Sequence, residues 1–84
     1  MSMNETARIL CAISREGATT EDILVKVGKT LLPTYAQVAA LEHQLEAFEN
    51  IGLVDLTRDG VRVTTARLTS LGAERAREAR EASR

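Results

Sequence analysis

The stretch FENIGLVDLTRDGVRVTTARLTSLG, residues 48–72, decides how this chain is organised. An apolar helical pattern closes at Ile51 and Gly52, where glycine suits a helix stop. A strand is expected from Leu53 to Arg58 and a second from Val61 to about Leu68. Between them, Asp59 and Gly60 predict a tight type I′ turn, because both residue types tolerate positive φ. Val54 and Leu56 alternate with polar residues, and Val61 and Val63 alternate with Arg62 and Thr64. Each strand should therefore pack one face and leave the other in water. Thr69 then opens a further helix.

Upstream, the apolar spacing predicts three helices. The first covers Asn4 to Arg15, with Asn4 as its cap, Gly17 beyond its last turn, and Ile9, Leu10 and Ile13 on one face. The second covers Glu21 to Val27, with Thr19 and Asp22 at capping-box spacing and Gly28 as the stop. Leu31 and Leu32, in the linker that follows, are expected to tuck under the domain. The third helix starts after Pro33 and runs to about Asn50, with Thr34 and Gln37 as a capping box. Its buried stripe is Val38, Leu41, Leu45 and Phe48. The expected core joins that stripe to Ile9, Leu10, Ile13, Leu24, Leu53 and Val63. The last helix, about 70–83, is rich in Ala, Glu and Arg, and its apolar stripe is mostly alanine.

Eighty-four residues predict one domain, 1–84, with little core to spare. The net charge of −1 is less basic than a dedicated nucleic-acid binder usually carries. Cys11 is the single cysteine, which rules out an internal disulfide and points to a reducing, cytoplasmic compartment. No signal-like segment and no apolar run near the roughly 20 residues of a membrane span is present, so no membrane partner is expected.

Helix, glycine stop, two-stranded hairpin, helix is the order of an α+β winged helix-turn-helix. The expected architecture is three helices, a two-stranded wing at about 53–68 and a C-terminal helix. Phe48-Glu49-Asn50-Ile51-Gly52-Leu53-Val54 resembles the Leu-Glu-x-x-Gly-Leu-Val that closes the recognition helix and starts the wing. Leu68-Thr69-Ser70-Leu71-Gly72 resembles the Leu-Thr-x-x-Gly after the wing. Together they resemble the winged-helix regulators of the MarR and PadR kinds, over most of the chain from Thr19 to Gly72. That resemblance implies a dimeric transcription regulator. The chain departs from the pattern by about two extra helical turns before Gly52, and it lacks the long flanking dimerisation helices of a full-length MarR protein.

The expected function is a small DNA-binding transcription regulator that contacts double-stranded DNA. Thr34, Tyr35 and Gln37 are candidates to enter the major groove, with His43 and Gln44 behind them. Arg58 and Arg62, flanking the turn, are candidates for phosphate contacts from the wing. Glu42, Glu46 and Glu49 are read as a solvated helix face. A homodimer is expected through the C-terminal helix, with Leu68, Leu71, Ala76 and Ala79 at the interface. The alternative is a winged-helix protein–protein interaction module that does not bind DNA, in which the alanine-rich and acidic face of helix three meets another protein; a factor encoded by a phage or mobile element would fit either reading. No catalytic residue, metal ligand set or cofactor is expected: the chain has no phosphate loop, nucleophile elbow or Cys-x-x-Cys pair. It is read as a non-enzyme.

Overall fold

The computed structural model describes residues 4–28 and 33–83. The expectation for Leu31 and Leu32 lies outside them. The chain runs α1 (Glu5–Ala12), β1 (Ala18–Thr19), α2 (Thr20–Gly28), α3 (Tyr35–Asn50), β2 (Val54–Asp59), β3 (Arg62–Leu68) and α4 (Ser70–Ala82). The architecture is α+β, with a three-stranded antiparallel sheet in the order β1-β3-β2.

The helix caps form as local side-chain chemistry dictates. Asn4 accepts from the Ala7 N–H at 2.8 Å, and Thr19 Oγ1 accepts from the Asp22 N–H at 3.1 Å. At α3 both halves of the capping box are made: Gln37 N–H donates to Thr34 Oγ1 at 3.2 Å, and Thr34 N–H donates to Gln37 Oε1 at 2.8 Å. Helix α1 stops at Ala12, three residues before the expected Arg15, because Ile13 turns extended and sinks into the core. The Ser14 carbonyl then accepts from the Leu68 N–H, and Gly17 takes a φ of 116°. That turn delivers Ala18 and Thr19 to β3, opposite Ala66 and Thr65. Two residues carry no alternation to read, so the sequence predicts two strands where the fold has three.

The hairpin differs from expectation in two ways. Asp59 pairs with Arg62, so the loop residues are Gly60 and Val61 rather than Asp59 and Gly60, and Gly60 takes the positive φ of 64°. Val61 consequently stands at the tip, 91% exposed, instead of packing. A bulge also interrupts the ladder: Thr57 faces Thr65, but Arg58 faces Val63, leaving Thr64 as the extra residue. The Thr64 hydroxyl donates to the Thr57 carbonyl at 3.1 Å. A one-residue shift exchanges the two faces of a strand. Ala66 and Leu68 point inward, and the bulge brings Val63 inward with them.

The two quoted motifs meet in one junction. Thr69 Oγ1 accepts from the Gly72 N–H at 3.0 Å and its hydroxyl donates to the Gly52 carbonyl at 2.6 Å. Thr69 N–H donates to the Leu53 carbonyl. A Cβ at Gly72 would collide with that same carbonyl oxygen. Leu-Thr-x-x-Gly is therefore a cap plus a close approach, holding α4 against the end of α3.

The core contains Ile9, Leu10, Ile13, Ile23, Leu41, Leu45, Phe48, Leu53, Val54, Val63, Ala66, Leu68 and Ala76. Leu24 packs half-buried against it, whereas Val38, expected in the buried stripe, is half-buried and outside it. Helix α4 lies on α1, with Ala76 fully buried and its carbonyl accepting from Cys11 Sγ–H at 3.5 Å. Alanines allow that close approach.

Candidate functional site

Helix α3 and the β2–β3 hairpin form the surface that gathers most of the sequence-predicted residues. By strand alternation Arg58 falls on the same side as Val54 and Leu56, the side that packs on α3. There it meets Glu49. Arg58 Nη2 donates to Glu49 Oε1 at 2.7 Å and Nη1 to Oε2 at 3.3 Å, a two-pronged pair. The hydrogen bond from the guanidinium, with its charge, holds the Glu49 carboxyl below the usual carboxylate range, and Glu49 in turn raises Arg58.

Arg62 is held differently. Its Nε donates to Glu42 Oε1 at 3.1 Å, and its guanidinium carbon lies 5.5 Å from the centroid of the Tyr35 ring, within cation–π reach. The other Glu42 oxygen accepts the Val63 N–H at 2.8 Å. The Glu42 side chain is only 13% exposed. Glu42 and Glu49 are thus partners of the hairpin, not part of a solvated face. The one signal, for Glu49 alone, is the strand parity of Arg58 with Val54 and Leu56 opposite the acidic flank of α3.

The α3 candidates do not form one cluster. Tyr35, 75% exposed, joins the start of α3 to the hairpin through Arg62. Thr34 and Gln37 are exposed, but each already spends a side-chain oxygen on the helix cap. His43 is exposed in the middle of α3, near Ala36, Ala39, Ala40 and Ala47 on a face without a cation. Gln44 is half-buried and lines an apolar groove with Ile9, Leu24 and Val27 of α1 and α2, away from the hairpin.

Two of the four residues expected at a dimer contact are consumed inside their own chain. Leu68 is 7% exposed on the inward face of β3, and Ala76 is fully buried because α4 packs its small-residue face onto α1. Ala79 is half-buried, and Leu71 is 40% exposed.

Among the described residues no group of three His, Cys, Asp or Glu side chains could hold a metal ion. No described helix is long and apolar enough to cross a membrane. Compared with protein families, with curated proteins and with solved structures, the chain matches none of them.

Proposed function

We propose that this chain is a winged-helix DNA-binding module of a small transcription regulator, with α2 and α3 as the helix-turn-helix and β2–β3 as the wing. The carrying observation is that the exposed start of α3 and the hairpin form one continuous surface, joined where Arg62 lies over Tyr35. The strand order β1-β3-β2 supports the same fold, since it places the hairpin beside α3 with its tip free. In this arrangement His43 faces the bases, and Arg62, backed by the Tyr35 ring, faces the phosphates. Two copies would pair across the α4 edge that carries Leu71, and sedimentation of the full chain at tens of micromolar tests that pairing.

A second reading is a protein-interaction module, and one observation favours it. Both wing arginines are paired with α3 carboxylates, and the outward face of α3 is neutral and alanine-rich. Binding to a mixed-sequence DNA duplex over a salt series separates the two. Affinity that falls steeply with salt supports DNA; its absence at low salt favours a protein partner.

A further inference from the structure

The two wing arginines differ in what they have left to donate. Arg58 commits its end-on fork, one N–H of each terminal nitrogen, to Glu49. Arg62 commits Nε to Glu42, and its terminal nitrogens bond no described residue. Glu42 is itself fixed, because its second oxygen holds the Val63 N–H. The Tyr35 ring supports the guanidinium from one side. A guanidinium fixed through Nε still offers a pair of terminal N–H groups to a planar or tetrahedral anion.

We propose that the carboxylates of α3 decide which wing arginine meets a phosphate. Glu42 and Tyr35 are positioning residues that hold Arg62 as the standing contact, and Glu49 withholds Arg58 from the duplex. A phosphate that takes the end-on fork of Arg58 must displace Glu49, exchanging one anion for another with little net gain. Only Nε–H and the outer N–H of each terminal nitrogen stay free of the described residues, beside a guanidinium already neutralised. At Arg62 the end-on fork is open, so a phosphate takes both terminal nitrogens without breaking a bond. This rests on the DNA reading above.

The test is fluorescence anisotropy of a labelled mixed-sequence duplex titrated with the full chain over a salt series, each variant checked for folding by its thermal melt. Arg62→Ala should weaken binding several-fold and reduce the salt slope by about one unit. Arg58→Ala should change neither by more than about twofold. Glu49→Gln should strengthen binding several-fold and steepen the slope by about one unit, because Arg58 is released. The double variant Glu49→Gln, Arg58→Ala should bind like Arg58→Ala alone, whereas a general gain in positive charge would make it bind several-fold tighter than Arg58→Ala. Tyr35→Phe should bind like wild type and Tyr35→Ala should not. Equal losses for the two arginine variants, or a gain from Glu49→Gln that persists without Arg58, would overturn the inference while leaving DNA binding intact. No binding by any of these proteins at low salt would overturn the DNA reading and this inference with it.

Discussion

Gly72 and Glu49 show the physics that single residues carry here. Gly72 is buried in α4 where the helix crosses the Leu53 carbonyl, leaving no room for a methyl group. Gly72→Ala should therefore destabilise the fold by about 1–3 kcal/mol, since crowding outweighs the gain in helix propensity. Urea denaturation checks it, and a neutral or stabilising result would mean that α4 does not press on Leu53. Glu49 predicts a pH dependence. Its folded pKa is lowered, so its contribution to stability is present above the ordinary value of 4.5 and is lost as pH falls through the lowered one. Glu49→Gln should remove that part of the acid-side loss, read by comparing denaturation midpoints of the two proteins down the acid limb. Identical pH profiles would contradict the pair. Caps such as Asn4, Thr34 and Thr69 were legible in the sequence because each partner lies three residues away. Glu42 and Glu49 were not, because Arg62 and Arg58 lie 20 and 9 residues away in another element.

At the scale of elements, periodicity found the helices and both hairpin strands but missed what one or two residues do. Val61 and Val63 look equivalent in sequence, yet Val61 is a loop residue at the exposed tip, while the bulge at Thr64 turns Val63 inward with Ala66 and Leu68. Strand β1 is too short to show a pattern, and it exists because the Ser14–Gly17 turn presents Ala18 and Thr19 to β3. Helix α4 is the element whose role changes most. Its weak apolar stripe suggested a contact between chains, yet Ala76 completes the core against α1. Truncation after Gly72 should therefore cost the domain its cooperative melt rather than merely release a folded monomer. Circular dichroism over a temperature ramp checks this. A truncated chain that melts as sharply as the full one would show that α4 is dispensable to the core.

For the whole molecule, fold and charge point in different directions. The net charge of −1 gives no general attraction to a polyanion, so the proposed DNA binding rests on local arrangement. That arrangement is Arg62, fixed by Glu42 and Tyr35 beside the exposed start of α3. The expected fold rested on ordered motifs whose geometry is local to the Gly52–Gly72 junction, and that junction forms. The candidate site was legible only in part, because charge neutralisation across α3 and the hairpin depends on tertiary pairing. The most direct measurement is the equilibrium binding of the full chain to mixed-sequence duplex DNA as a function of salt. A DNA-binding module should bind at low salt with micromolar affinity, on the order of non-specific protein–DNA complexes, and lose it linearly in log–log form as salt rises. Failure to bind at low salt, with the protein folded and at tens of micromolar, would contradict the account and leave the α3 face to a protein partner.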